Sequence, residues 1–452
     1  MGINEKKSDY VAPSFAIKCK PDYTHLEKTY RKNQLIVTFK DFPSEEQINT
    51  VKGYFKEMGF ENITIKKCQD CNMPVQLWLA EGIETVIVDK GIKVGSGGGT
   101  GTVGESYSLN FLSNIPPHEL KNIGKFKPDY NKGTEEVVIA VLDTGFDPYI
   151  VDEGYIYKGN ISKKEYECFN GTEYGWNFVE NNKDIEDDNA GRHGSLVTQF
   201  IINEFKNSKK TVKIIPVKTH DRNGHGDLFA IFCAIYYAIA KGAQIINASW
   251  GFYSYEREPL FPPLKTIIER LEEEGVLLVA AAGNQTDADD RIASKIFLEN
   301  TGREPKPEDL RDLAIHHFLP AYFSSGEDNL ITVTTTDGKE VASTENFSNV
   351  YVDLGIIADK KIKDDLWFEV PFEQTGEPGH VRGSSFATAI ATGIIGAYSE
   401  SSNFKKGSVD KQKIFEDLKP ISNIGLNPRV QPNPPEPIAE FIKNGLCIKK
   451  QG

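Results

Sequence analysis

The stretch VVIAVLDTGFDP, residues 137–148, decides how this chain reads. Six apolar residues in succession, Val137 to Leu142, run into Asp143, Thr144 and Gly145. A strand with one wet face alternates apolar and polar residues, so an unbroken run suits a strand buried on both faces. Three similar runs follow: VKIIPVK (212–218), AQIINAS (243–249) and VLLVAAA (276–282). Between them lie helix-like segments at 196–205, 227–242 and 264–275. This alternation predicts an α/β fold, with a mostly parallel sheet between helices. Ligands of such sheets bind beyond the C-terminal strand ends, so chemistry is expected just after each run.

Composition sets the outer bounds. The 452 residues carry 52 basic and 65 acidic side chains, a net charge of −13. General nucleic-acid or anionic-membrane binding needs a basic face, so the expectation is no nucleic acid and no membrane partner. No stretch reaches the ~18–20 apolar residues of a membrane span. The first residues, MGINEKKSDYVAPSFAIKCKPD, hold no apolar core of signal-peptide length, which points to a cytoplasmic chain. Six cysteines, at 19, 68, 71, 168, 233 and 447, are too few for a disulfide scaffold. Cys68 and Cys71 form a lone CxxC without a second pair, so free thiols are expected rather than a zinc site.

Before the sheet pattern lies a smaller unit. VGSGGGTGTVGES, residues 94–106, reads as a flexible linker. Upstream, QLIVTFK (34–40), NITIKK (62–67), PVQLWLA (74–80) and IETVIVD (83–89) are strand-like. Ser44 and Gln47 form a capping box, and Ile48, Val51, Phe55 and Met58 follow at helical spacing, predicting a helix over 45–59. The expected layout is a small α+β domain at 1–93, the linker at 94–106 and the sheet domain at 107–447.

Four residues at predicted strand or helix ends carry the chemistry. Asp143 ends the first run. His193, in AGRHGSLV, opens an apolar helix. Asn284 follows VAAAG. Ser385 sits in RGSSFATA at the start of a helix that is apolar nearly all round, where free N–H groups and the helix dipole favour negative charge. Acyl transfer by a hydroxyl needs a nucleophile, a base, a carboxylate to fix the base, and an oxyanion donor. The chain order Asp…His…Ser is that of subtilisin, and not of the α/β-hydrolase or chymotrypsin type.

On these motifs the chain resembles the subtilisin-like serine proteases, over roughly residues 110–430. VVIAVLDTGFDP, GWNFVENNKDIEDDNAGRHGSLV, NASWG, VAAAGN and RGSSFATA match the family's blocks in order, and LPAYF and NFSN fit its later course. The resemblance implies Asp143 as catalytic acid, His193 as general base, Asn284 as oxyanion donor and Ser385 as nucleophile. It implies substrate pairing along Gly224, His225 and Gly226 and along Ser249, Trp250 and Gly251. Ala281, Ala282 and Gly283 would wall the first specificity pocket, with room for a large apolar residue before the scissile bond. Arg192, Ser384, Ala389 and Gln199 depart from the family's usual Gly, Thr, Pro and Gly. Residues 286–318 look inserted beside the cleft, as a rim or as surface decoration. Asp184, Glu186, Asp187 and Asp188 are read as a solvated acidic loop. No cofactor is expected, calcium lacking a clear motif.

The function implied is a serine endopeptidase acting on protein or peptide substrates. Its rate should fall on acidification, as a histidine base becomes protonated. Two alternatives stay open: a pseudoprotease that binds peptides on the same fold, and another acyl-transfer enzyme such as an esterase or peptide ligase. The N-terminal unit loosely resembles the small prodomains of the family. Cutting between about 90 and 110 should then release an intramolecular inhibitor; the rival is a permanently attached partner-binding domain.

Overall fold

The strand Glu135–Asp143 carries the deciding stretch, and its side chains divide by parity. Val137, Ile139 and Val141 enter one core with Leu196, Phe200 and Ile390, whereas Val138, Ala140 and Leu142 enter another with Ile231, Ile235 and Ile268. Each large side chain so buried contributes about 1.5–3 kcal/mol. The computed structural model describes residues 29–83, 105–421 and 446–449, except for 70, 119, 121–122, 127, 131, 162, 255–260, 364 and 373–378.

Eight strands form the central sheet, in the order Leu446–Lys449, Leu354–Ile357, Leu330–Thr336, Leu277–Ala281, Ile245–Ala248, Glu135–Asp143, Lys210–Lys218 and Trp176–Asn177. Every neighbouring pair is parallel. The helices His193–Asn203, Ser384–Tyr398 and Lys411–Leu418 cover one face, and Leu228–Ala240 and Pro262–Glu274 the other. After Glu135–Asp143 the chain builds Trp176–Asn177 and Lys210–Lys218 on one side, then Ile245–Ala248 on the other. The carboxyl end of Glu135–Asp143 is therefore the switch point, where such sheets open a crevice. Ser384–Tyr398 is buried along almost its whole length. Gly393 permits that: a Cβ there would lie 2.6 Å from the carbonyl oxygen of Ile201, on the neighbouring helix.

The N-terminal unit is an antiparallel sheet in the order Thr64–Cys68, Cys71–Leu79, Tyr30–Phe39, Glu105–Asn114 and His225–Asp227. The helix Glu45–Glu57 starts at the expected Ser44–Gln47 capping box and buries Ile48, Val51 and Phe55 on one sheet face. Ile36, Met73, Val75 and Leu77 point to the opposite face and share a core with the Leu228–Ala240 helix. Two expectations end differently. The strand reading at 83–89 and most of the linker lie outside the described residues. Glu105–Asn114, placed at the end of the linker and the start of the sheet domain, is a ten-residue strand. It pairs with Tyr30–Phe39 and, at its far end, with His225–Asp227.

The cysteine expectation is corrected. Cys68 is joined to Cys233 and Cys71 to Cys168, across sequence separations of 165 and 97 residues. The CxxC sits at the turn between two strands, and that turn meets the Leu228–Ala240 helix and the Lys164–Phe169 turn. Local spacing reveals a CxxC but not partners so far along the chain. Both bonds tie the N-terminal unit to the sheet domain, so cutting the linker alone does not free it.

Candidate active site

The Asp143 carboxylate stands at the switch point. Its Oδ1 accepts the backbone N–H of Thr144 at 2.7 Å and lies 2.7 Å from His193 Nδ1. Both side chains are buried. A second carboxylate braces this pair: Asp187 Oδ1 accepts from Thr144 Oγ1, and Asp187 Oδ2 from the N–H and Oγ of Ser195. Thr144 Oγ1 in turn accepts the N–H of Gly194. The Asp143 turn and the first turn of the His193 helix are thus fastened together. Burial pushes the Asp187 carboxyl up, opposed by its bonds to Ser195 and Thr144. Asp188 pairs with Lys218 at 2.6 Å, and Asp184 caps the N–H of Glu186. Asp184, Glu186 and Asp188 are exposed, as a solvated loop requires, and Asp187 alone is buried. Among the described residues, no group of three or more His, Cys, Asp and Glu could hold a metal ion.

Arg192 caps the His193 helix at φ 49°, in the left-handed region where glycine is at ease. A side chain there costs about 1–2 kcal/mol. The guanidinium offsets this through Asp147, at 3.3 Å, and the carbonyl of Asp187.

Ser385 is the second residue of the Ser384–Tyr398 helix, whose N-cap is Gly383. Its Oγ donates to the carbonyl of Ser249 at 3.0 Å, and Ser249 Oγ donates back to the Ser385 carbonyl at 2.8 Å. Among the described residues no hydrogen bond joins Ser385 to His193. Asn284 follows the strand Leu277–Ala281, and its Oδ1 accepts from both the N–H and the Oγ of Ser384, each at 2.8 Å. The amide oxygen is thereby committed, and among the described residues the amide N–H groups carry no acceptor. Ser384, where the family usually has Thr, supplies the same hydroxyl.

The expected substrate track is occupied by the chain itself. Leu112, Ser113 and Asn114 pair antiparallel with Asp227, Gly226 and His225, and the N–H of Ile115 donates to Gly224 at 2.8 Å. Ser113 Oγ donates to the carbonyl of Gly251 at 3.0 Å. Leu112, Asn114 and Pro116 line one pocket together with Ser249, Trp250, Gly251, Ala281, Gly283, Asn284 and Ser385. A few residues on, the His118 ring stands 5.4 Å from that of His193. Burial, and then His193 itself, push His118 down to about 4. Sequence reading missed both features. The alternation of Tyr107, Leu109 and Phe111 was the available signal for the strand; His118 gave none.

Phe318 was also missed. It lies in the strand His317–Leu319, paired with Phe252–Ser254. A Cβ on Gly251 would come within 2.2 Å of the Phe318 ring, and one on Gly283 within 2.9 Å. The ring therefore fills the space between two residues named for the substrate site. The segment 286–318 contributes Thr286 and Asp289 to the same pocket, so it forms a rim. It folds as the helices Asp287–Thr301 and Pro307–Arg311, joined through an Asp290–Arg311 ion pair.

A sequence profile of the subtilase family matches residues 134–412. The cell wall-associated protease of Bacillus subtilis (strain 168) is 36% identical over 122 residues, 26% of this chain and 12% of that protein. The thermophilic serine proteinase of Bacillus sp. (strain AK1) is 32% identical over 163 residues, 34% of this chain and 35% of that one. The matched segments thus span about a third or less of these relatives. Fervidolysin from Fervidobacterium pennivorans, a keratinolytic enzyme, shares the fold at TM-score 0.50 and 16% identity, covering 84% of this chain and 56% of that one. The epidermin leader peptide processing serine protease of Staphylococcus aureus does so at TM-score 0.50 and 15% identity, covering 93% and 97%.

Proposed function

The chain belongs to the subtilase family, and from that premise we propose that it is a serine endopeptidase with Ser385 as nucleophile. The observation that carries this reading is the buried Asp143–His193 contact of 2.7 Å, beside a serine at a helix N-terminus. His193 takes the proton of Ser385 as Oγ attacks the peptide carbonyl. Asp143 holds the Nδ1–H tautomer and stabilises the imidazolium. The oxyanion receives the Ser385 N–H and the Asn284 amide. His193 then protonates the leaving amine, and water releases the acyl group with His193 again as base. The test is covalent labelling by a fluorophosphonate probe, with Ser385→Ala as control. Asn284→Ala should lower turnover by about 10²–10³-fold, the loss found for this donor in subtilisin and carried over by resemblance.

The described form is read as latent. Residues 112–118 lie along the substrate track, and the nucleophile is turned to the Ser249 carbonyl. This favours an inhibitory N-terminal unit over a pseudoprotease, since it accounts for the unmade Ser385–His193 bond without loss of any catalytic group. The two disulfides also favour an oxidising compartment over the cytoplasm.

Specificity is expected to depart from the open pocket read in the sequence. With Phe318 between Gly251 and Gly283, residues as small as Ala, Ser or Gly before the scissile bond should be preferred. Phe318→Ala should move the preference toward Leu, Met or Phe by at least about 10–200-fold, the range that a single methylene commands in an apolar pocket. Cleavage of a peptide library by both proteins checks this. An unchanged profile, or a wild-type preference for Phe, would reject the assignment.

A further inference from the structure

Behind the oxyanion donors lies a carboxyl group that the proposed mechanism does not use. Glu345 is buried, and its Oε2 accepts the backbone N–H of Ser384 at 2.7 Å. The same N–H reaches Asn284 Oδ1 at 2.8 Å, so two oxygens converge on one donor. The placement is rigid. Asn284 and Glu345 form an antiparallel bridge, the N–H of Gln285 donates to Thr344 and that of Asn346 to Gly283.

Among the described residues no basic side chain pairs with Glu345. Of the charged groups that face it, Arg382 is paired with Asp365 and Arg311 with Asp290. Tyr253, the other titratable neighbour, turns its hydroxyl to Asn346 and the Asn284 carbonyl, with Asp289 beyond it. A carboxyl buried without a counter-ion is costly as an anion. Burial pushes Glu345 up to about 7, opposed by its bonds from Ser384 and by the two arginines.

We infer that Glu345 is a positioning residue for the oxyanion donors, and that turnover depends on whether its carboxyl is neutral or charged. The inference rests on the protease reading above. A neutral Glu345 shares the Ser384 N–H with Asn284 Oδ1 as a weak acceptor, which holds the helix start against the amide without adding charge. It also leaves the positive end of the Ser384–Tyr398 helix to the oxyanion. An ionised Glu345 takes the Ser384 N–H more strongly and so draws it from Asn284 Oδ1, and it places a second negative charge in a buried corner where one is about to form.

The sign follows from the direction of the shift. As pH rises through about 7, Glu345 ionises and turnover falls. The full-length chain, cut and reduced so that the N-terminal unit leaves the cleft, and assayed on a fluorogenic peptide with kcat and KM resolved from pH 5.5 to 9.5, should lose about tenfold in kcat on the alkaline side, with KM unchanged. Glu345→Gln keeps the shape and one N–H donor but cannot ionise, so its alkaline fall should vanish. Glu345→Ala should lower kcat across the whole range, with a folded melting transition as control. A flat wild-type profile above pH 7, the same alkaline fall in Glu345→Gln, or an effect on KM alone would each overturn the inference. Failure of the probe to label wild type would overturn the protease reading as well. Labelling with coincident profiles would overturn this inference alone.

Discussion

Ser385→Ala is expected to abolish probe labelling and to lower peptide hydrolysis by about 10⁶-fold, the scale found for the nucleophile in subtilisin. The members of such a site act as a unit, so His193→Ala should cost about as much. Ser384→Ala is the informative neighbour. Its hydroxyl holds Asn284 Oδ1, bonds Glu345 and accepts the N–H of Gly283, and it takes no part in the attack, so labelling should persist while kcat falls by one to two powers of ten. The measurement is labelling and turnover of the three variants beside wild type, each with a melting curve. Loss of labelling in Ser384→Ala with its retention in Ser385→Ala would move the nucleophile by one residue. Retention in both would remove the serine mechanism.

The second large effect concerns release of the cleft. A chain cut just after His118, so that residues 112–118 leave with the N-terminal unit, should run as one species without reductant and as two with it, because Cys68–Cys233 and Cys71–Cys168 span the cut. Tethered at an effective concentration of about 1 mM, an inhibitory unit with a dissociation constant near 1 μM leaves about one cleft in 10³ open. Reduction and dilution, or the double variant Cys68→Ser/Cys71→Ser, should therefore raise the activity of the cut chain by about two to three powers of ten. Full activity of the cut, oxidised chain would show that the N-terminal unit is no inhibitor. A partner-binding role would then replace that reading.

Much of this was legible along the chain. The runs at 137, 212, 243 and 276 became parallel strands because a doubly buried strand has no polar face to conceal. Asp143, His193, Asn284 and Ser385 lie at element ends, where the sheet pattern said to look. The capping box at Ser44 is a contact between residues three apart, which a sequence displays directly. What escaped depends on contacts between distant segments. Cys68 and Cys71 could not name their partners. The pocket floor could not be assigned because Phe318 reaches Gly251 from a strand more than sixty residues later. Nothing in the local sequence singles out Glu345; the bridge to Asn284 brings it under the helix. The strand Glu105–Asn114 carried its alternation openly, but the glycine-rich stretch before it drew the boundary into its first residues.

The outer strand of the central sheet sets a timetable for synthesis. Leu354–Ile357 finishes one edge of the sheet until Leu446–Lys449 pairs with it in parallel. Those residues leave the ribosome roughly ninety positions later, of the order of 5–20 s at ordinary translation speeds. Throughout that interval a strand with the apolar residues Leu354, Ile356 and Ile357 has unbonded N–H and C=O groups along one side, a template for pairing with any other nascent chain. Native pairing must span that separation, and such non-local strand contacts form slowly. The hazard in making this protein is therefore concentrated late, when almost all of the sheet already exists and a single short strand decides whether the Leu354–Ile357 edge is covered or left to other chains.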